Sequence, residues 1–193
     1  MPEYSRKKKD QAVNLETLMG NKPPQALDVE AAVLGAMLVE PSTIDESMEE
    51  LTASCFYDPK HRMIFEAMAA LVNEHVSIDL ISVSEKLRTQ GNLEAVGGPV
   101  VLADLSQNIG AAAHIEYYLK ILKQKTIQRD LITASYEILR ESFDETVIVD
   151  NLIDDAQTKV FQAIQTNDKH DVKDIGSIIN SIRSSRLFIP SNC

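Results

Sequence analysis

The residues best suited to chemistry in this sequence are Asp58, His61 and Glu66, which lie within one short stretch. An imidazole between two carboxylates could transfer protons or bind a metal ion. However, His61 and Glu66 are five positions apart, whereas side chains that share a helix face are separated by three or four. We therefore interpret Asp58 as a helix cap, His61 as a first-turn side chain and Glu66 as an exposed residue.

Motifs that bind nucleotides or activate nucleophiles are missing from the sequence. A phosphate-binding loop needs the pattern G-x-x-x-x-G-K-[ST], and none of the 7 glycines is followed by lysine. The sequence also lacks H-E-x-x-H, His and Cys pairs at zinc spacing, and a G-x-S-x-G turn. We expect no catalytic residue, no cofactor and no metal site in this chain.

The charge of the chain argues against a nucleic-acid-binding domain. The 193 residues carry a formal net charge of −10, whereas proteins that bind phosphates usually present a basic face. The only dense basic run is residues 6–9 (RKKK), which we interpret as part of a solvated tail. Residues 82–98 could be read as a helix-turn-helix, but Glu85 and Glu94 accompany its basic residues.

The cysteines and the hydropathy pattern predict a cytoplasmic protein. Cys55 and Cys193 lack the spacing of a zinc site or a disulfide framework, and the apolar surroundings of Cys55 predict a buried thiol. Such cysteine usage is typical of a reducing compartment. No stretch approaches the roughly 18 apolar residues of a membrane span, so we expect no membrane partner.

Hydrophobic periodicity predicts an all-α fold. Aromatic residues make up 5% of the chain and Trp is absent, so aliphatic side chains must fill the core, which favours helices packed on helices. Helix starts are predicted at Pro41 as the first helical residue, at Asp58 as a cap, and at a capping box from Ser82 to Glu85. Gly91 is expected to end a helix in the left-handed conformation.

A long helical hairpin is the clearest predicted feature. From about 112 to 143 there is no Pro or Gly, and a second apolar stripe follows after an interruption at Asp144. Because the connection is short, the two helices should be antiparallel. Two helices bury little surface, so the stripe needs a partner, and a second copy can use one patch twice. The residues predicted to mediate self-association are Leu131, Val149, Leu152, Ile153, Ala156 and Val160.

The chain divides into four predicted parts. Residues 1–22 are polar and form a flexible arm, and residues 23–111 form a small globular helical head. Residues 112–165 form the hairpin. Residues 166–193 form a linker with a short amphipathic helix at 175–182.

Five segments together resemble the N-terminal domain of the bacterial replicative DNA helicase of the DnaB family. Each segment alone is a weak signal, but the five occur in the family's order and at its spacing. They are residues 23–35 (PPQALDVEAAVLG), 56–65 (FYDPKHRMIF), 78–83 (IDLISV), 93–98 (LEAVGG) and 113–118 (AHIEYY).

The resemblance implies a globular head with a long hairpin, in which paired hairpins form a collar on a six-membered ring. It also implies a C-terminal ATPase motor, to which binding of ATP, magnesium and most DNA would belong. The implied partners are a second copy of this chain, as a dimer, a trimer of dimers or a hexamer, the C-terminal domain of primase, and a helicase loader. The positions that match primase contacts of the family are Asp28, Val101, Ile132 and Ile138, although Asp28 also suits a helix cap and both isoleucines suit packing within the hairpin.

The resemblance stops before the end of the chain. Residues 175–182 resemble the linker helix of the family, but residues 183–193 do not resemble the family's sequence beyond that helix. The motor is therefore expected to be absent from this chain, which would then neither hydrolyse ATP nor unwind DNA.

Two other classes of function compete with the collar of a replicative helicase. The first is a stand-alone helical dimer that regulates transcription or scaffolds an unrelated complex, which would be favoured if the parent gene ended near residue 193. The second is a small helical enzyme, which would require a pocket or a metal ion at Asp58, His61 and Glu66.

Overall fold

The computed structural model of the chain describes residues 20, 22–107 and 112–165. Within these ranges the chain forms eight α-helices and no strand, so the all-α prediction is confirmed. Most of the predicted arm at 1–22 and the whole predicted linker at 166–193, with its helix at 175–182, lie outside the described residues.

Six helices form the head. They are α1 (Leu27–Val39), α2 (Ser42–Glu50), α3 (Pro59–Asn73), α4 (Leu80–Thr89), α5 (Leu93–Val96) and α6 (Gly98–Ser106), with 3-10 turns at Ala53–Cys55 and Ala112–His114.

The hairpin follows the head and consists of two long helices. Helix α7 spans Ile115–Ser142 and helix α8 spans Val149–Gln165. Helix α8 packs mainly on α7, as expected for an antiparallel pair joined by a short turn.

Helix α1 lies at the centre of the head, in contact with α6, α7, α2 and α3. Its side chains Val33, Leu34 and Met37 are fully buried. The first turns of α7 belong to the same core, because Leu119 and Leu122 are buried in one cluster with the α1 residues. The start of the long helix is therefore fixed by the hydrophobic core of the head.

Local signals predicted some helix ends and missed others. The Asp58 side chain accepts a hydrogen bond from the Lys60 amide at 2.8 Å, so the predicted cap is confirmed. Gly91 has φ +74° just after α4, as expected for a left-handed C-terminus.

Two predicted helix starts are wrong. Helix α4 begins earlier than the Ser82 capping box, because Asp79 caps it by accepting from the Ile81 and Ser82 amides while the Ser82 hydroxyl accepts from the Asp79 amide. These hydrogen bonds stabilise the ionised carboxylate and lower the pKa of Asp79. Pro41 precedes α2 as its N-terminal cap residue and is not the first helical residue.

Gly97 lies in the turn between α5 and α6, and a side chain at this position is expected to destabilise the fold. Gly97 has φ +106°, and a Cβ atom added there would lie 2.7 Å from Val101 Cγ2. We expect Gly97→Ala to lower the free energy of unfolding by about 2 kcal/mol, because left-handed strain and a steric clash add. Urea denaturation followed by circular dichroism measures the change.

Gly91→Ala is the matched control. Gly91 also has a positive φ, but nothing lies within 4 Å of the added Cβ, so this variant should lose less stability than Gly97→Ala. Equal losses would mean that the contact with Val101 has no effect.

Candidate protein-interaction surface

One face of α8 packs against α7 and closes the hairpin. Leu152, Ala156, Lys159 and Ala163 are separated by four, three and four residues, so they share one helix face. Ala163 is 5% exposed, and the Lys159 ammonium forms an ion pair with Glu141 of α7. Leu152 and Ala156, which were predicted to mediate self-association, therefore lie on the side of α8 that faces α7.

A second apolar face of α8 is exposed to solvent. Val149, Ile153, Val160 and Ile164 lie at intervals of four, seven and four residues on a stripe beside the packed face. Their exposed fractions are 66%, 50%, 39% and 45%. We call these four residues the outer stripe. Exposed apolar side chains aligned in this way are typical of surfaces that bind another molecule.

The tip of the hairpin adds two more exposed apolar side chains. Phe143 is 81% exposed at the end of α7, and Ile148 is 65% exposed just before α8. The turn between them is held by Asp144, whose carboxylate accepts hydrogen bonds from the Thr146 amide at 3.0 Å and the Thr146 hydroxyl at 2.6 Å. The apolar surface of α8 thus continues onto an ordered turn.

The remaining predicted hairpin residues lie on α7. Leu131, Ile132 and Ile138 are all half-buried, so each presents part of its side chain to solvent. Leu139, which periodicity did not single out, is 55% exposed. The predictions for partner binding and self-association at these positions stay predictions.

The two predicted partner-binding residues of the head lie in different surroundings. Asp28 is exposed in the first turn of α1, where the helix dipole stabilises a negative charge. It is not the helix cap, because Ala26 occupies the cap position. Val101 is half-buried against the core, while its neighbour Val100 is 68% exposed.

A buried carboxylate joins α1 to the start of α3. Glu30 is 0% exposed, and its oxygens accept hydrogen bonds from the Tyr57 amide at 2.7 Å and the Asp58 amide at 3.2 Å. His61 Nδ1 lies 2.9 Å from Glu30 Oε2. A buried carboxylate is tolerated only when its oxygens are hydrogen-bonded in this way. The sequence did not reveal this group, although Glu30 shares the buried face of Val33.

The side chain of Arg129 attaches α7 to the head. Its guanidinium donates hydrogen bonds to the carbonyl oxygens of Pro24 at 3.0 Å, Ser54 at 2.9 Å and Cys55 at 3.0 Å, and to Thr126 Oγ1 at 3.1 Å. The planar fork of donors in arginine suits such a set of acceptors. One side chain of α7 therefore binds both the segment before α1 and the 3-10 turn before α3.

The electrostatic surroundings of Arg129 connect it to the buried carboxylate. Burial lowers the pKa of the Arg129 guanidinium, and the charge of Glu30 opposes this shift. The guanidinium also lies 5.9 Å from the centre of the Tyr57 ring, within the range of a cation–π interaction. Glu30 and Arg129 together form a polar cluster between the head and the hairpin.

The cluster with potential for chemistry does not assemble as a site. His61 pairs with Glu30, Asp58 caps α3, and Glu66 is exposed on that helix. In residues 22–107 and 112–165 there is no group of three His, Cys, Asp or Glu residues that could hold a metal ion.

The hydropathy of the helices bears on membrane insertion. No helix in the part of the chain that the structure describes is long and apolar enough to cross a membrane.

Cys55 is fully buried, as its apolar surroundings predicted.

The head and the start of the long helix match a known protein family. Residues 22–124 match the family described as DnaB-like helicase N terminal domain. The chain belongs to this family. The match covers all six helices of the head and the first turns of α7.

Relatives with the family's name extend the similarity into the hairpin. The replicative DNA helicase DnaB of Rhodothermus marinus is 34% identical over 157 residues, which are 81% of this chain and 17% of the relative. The replicative DNA helicase DnaB of Geobacillus stearothermophilus is 31% identical over 157 residues, which are 81% of this chain and 35% of the relative. The chain thus spans about a third or less of these relatives.

Solved structures agree with the DnaB-type fold. The N-terminal domain of DnaB helicase from Mycobacterium tuberculosis superposes with a TM-score of 0.69 at 29% identity, over 73% of this chain and 99% of that chain. A DnaB-like replicative helicase whose interactions with primase are described superposes with a TM-score of 0.60 at 22% identity, over 82% of this chain and 35% of that chain. The second likeness concerns the fold alone.

The contacts of Arg129 predict its contribution to stability. We expect Arg129→Lys to lower the free energy of unfolding by about 2 kcal/mol, because one ammonium cannot replace a fork that binds three backbone carbonyl groups. Denaturation at a fixed protein concentration measures this loss.

The matched control is Arg88→Lys, at an arginine that is 60% exposed and pairs with Glu85 on the surface of α4. Surface ion pairs contribute about 0.5 kcal/mol, so this control should be nearly neutral. If both variants lowered the free energy of unfolding equally, the hydrogen bonds of Arg129 to the backbone would contribute no more than a surface ion pair does.

Proposed function

We propose that this chain is a collar module of a replicative helicase, which self-associates through its hairpin and binds the C-terminal domain of primase. The outer stripe of α8 is the observation that supports the proposal most strongly. Val149, Ile153, Val160 and Ile164 are each at least 39% exposed, and they align on one face. Burying them against another chain is favourable because apolar surface leaves water.

A second copy of the chain is the simplest partner for the outer stripe. In a two-fold interface each stripe contacts the equivalent stripe, so one apolar surface on α8 is sufficient for both subunits. Phe143 and Ile148 at the tip would extend such an interface beyond the helix. A dimer of hairpins can then assemble further into a trimer of dimers or a hexamer.

Primase is the proposed second partner, with Asp28, Val101, Ile132 and Ile138 as contact positions. Ile132 and Ile138 lie on α7 and remain half-buried after the hairpin forms, so they are available to another protein. Paired hairpins would hold several primase molecules near one assembly, which raises the local concentration of primase without any chemical step. A helicase loader is a further proposed partner.

The proposed role is organisational and not enzymatic. ATP hydrolysis, magnesium binding and most contacts with DNA would belong to a separate motor region, in keeping with the lack of a phosphate-binding loop among the 193 residues. This chain by itself is expected to need no cofactor and to function in the cytoplasm, at the replication fork. A stand-alone regulatory dimer would share the hairpin interface but not the binding of primase.

Introducing a charge into the outer stripe tests self-association. We expect Ile153→Asp to reduce the solution mass to that of a monomer, because an unpaired carboxylate in an apolar interface costs several kcal/mol. Light scattering coupled to size-exclusion chromatography measures the mass, and circular dichroism verifies helicity. Leu152→Asp would be a poorer test, since Leu152 lies inside the hairpin.

Thr158→Asp is the matched control, because Thr158 is exposed on a different face of α8 and gains the same charge. It should keep the mass of the unmodified chain. If Ile153→Asp also kept that mass, the outer stripe would not be the self-association surface.

Truncating the α7 isoleucines tests the binding of primase. We expect the double variant Ile132→Ala/Ile138→Ala to bind the cognate primase C-terminal domain about thirtyfold more weakly, since buried interface anchors contribute about 1 kcal/mol each. Calorimetric titration measures the affinity. Gln128→Ala, at an exposed position of the same helix, is the control and should bind normally.

Failure of the unmodified chain to bind primase would contradict the primase role while leaving the self-association test intact. The stand-alone regulatory dimer would then be the better description.

A further inference from the structure

An open apolar groove runs between α2 and α3 on the surface of the head. Helix α1 packs against both of these helices, whereas α2 and α3 have little direct contact with each other. Two cavities of about 410 Å³ and about 320 Å³ lie along this gap, and Val72 lines both of them. All the residues that line the two cavities belong to the head, so the groove is separate from the outer stripe of the hairpin.

The floor of the groove is apolar. Ile44 and Met48 lie one turn apart on α2, and a second row on α3 contains Ala69 and Val72. Ile44, Met48 and Val72 pack against the core with part of their surface and line the cavities with the rest. Val76, at one end of the groove, is 45% exposed. Two rows of apolar side chains with a gap between them suit the apolar face of an amphipathic helix.

Each wall of the groove has an exposed carboxylate at its rim. On α2, Asp45 lies four residues after Pro41 and three before Met48, which both line the groove. Its exposed side chain therefore lies at the edge of that row. On α3, the exposed Glu66 lines the second cavity. The residues that line these two cavities include no Lys or Arg, so the rim attracts cations on both sides of the apolar floor.

The other charged groups near the groove do not cancel the charge of its rim. Glu46 and Glu50 line a different cavity on the α7 side of α2, where Glu50 pairs with Lys123. The guanidinium of Arg62 on α3 donates a hydrogen bond to the Phe56 carbonyl oxygen at 3.1 Å, and Arg62 lines neither cavity of the groove.

Charge also decides against α8 of a second copy as the occupant. This helix has three exposed aspartates between positions 150 and 155. Its single basic residue, Lys159, is paired with Glu141 of α7. A helix of this composition would be repelled by the carboxylates at the rim of the groove.

We propose that the α2–α3 groove binds an amphipathic helix of a partner protein, with aliphatic side chains on one face and Lys or Arg on both flanks of that face. The aliphatic side chains contact Ile44, Met48 and Val72, and the basic flanks lie beside Asp45 and Glu66. Anchors at i, i+4 and i+7 span about 10 Å along a helix, and the 9 residues of α2 span about 13 Å. The proposal does not depend on the collar function, because no hairpin residue takes part in it.

A synthetic peptide serves as the probe in titrations of the full chain. It forms an amphipathic helix with leucines at i, i+4 and i+7, lysines on both flanks and a fluorophore at one end. We expect fluorescence anisotropy to show binding about tenfold tighter than that of a peptide with the same composition in scrambled order, because the scrambled peptide cannot place its leucines on one face. Equal affinity for the two peptides, or no binding, would overturn the proposal.

Charge reversal at the rim tests whether the two carboxylates recognise the lysines. We expect Asp45→Lys/Glu66→Lys to bind the lysine peptide about tenfold more weakly, and to bind a peptide with glutamates in place of the lysines more tightly than the unmodified chain does, because attraction and repulsion are exchanged. Asp154→Lys/Asp155→Lys makes the same change of net charge on α8 and should leave both affinities unchanged. Equal weakening in the two variants would mean that the peptide responds only to net charge, which would overturn the proposal.

Methyl NMR of the full chain locates the bound peptide. We expect the signals of Ile44 and Val72 to shift when the lysine peptide is added, while those of Ile153 and Val160 in the outer stripe stay in place. Shifts of the outer stripe alone would place the peptide on the hairpin and overturn the proposal. Without peptide, shifts of Ile44 and Val72 that grow with protein concentration would show that a second copy fills the groove, which would overturn the choice of a partner protein.

Discussion

The burial of the Glu30 carboxylate is the constraint on which the arrangement of the head depends. A carboxylate withdrawn from water without partners would cost several kcal/mol, so the backbone amides of Tyr57 and Asp58 must lie against it. These amides belong to the turn that starts α3, which is thereby fixed relative to α1. His61, in the first turn of α3, completes the contact. The hydrogen bonds of one carboxylate thus add to the core packing that positions these two helices.

Arg129 extends this constraint from the head to the hairpin. It lies on α7 and donates hydrogen bonds to the carbonyl oxygens of Pro24, which precedes α1, and of Ser54 and Cys55, which precede α3. The negative charge of Glu30 is nearby. Apolar packing of Leu119 and Leu122 holds the first turns of α7, but packing alone tolerates sliding better than directed hydrogen bonds do. The direction in which the hairpin leaves the head is therefore specified by polar contacts as well as by the core.

Local features were predictable from the sequence, whereas contacts between distant residues were not. The Asp58 cap, the Gly91 terminus and the long α7 each depend on residues within one or two turns. The partners of Glu30 are 27, 28 and 31 positions away, and only its place on an apolar face hinted at them. Periodicity identified Leu152 and Ile153 together, but it could not sort them into the packed and exposed faces of α8, because both faces are apolar and adjacent.

Because α8 packs mainly on α7, its stability is sensitive to any molecule that covers its exposed face. Within the part of the chain that the structure describes, α8 packs mainly on α7, and much of its remaining apolar surface is in water. Any molecule that covers this surface binds the ordered helix and not the unfolded one, so binding shifts the local unfolding equilibrium by mass action. Where that molecule is a second copy of the chain, as proposed above, the order of α8 depends on protein concentration.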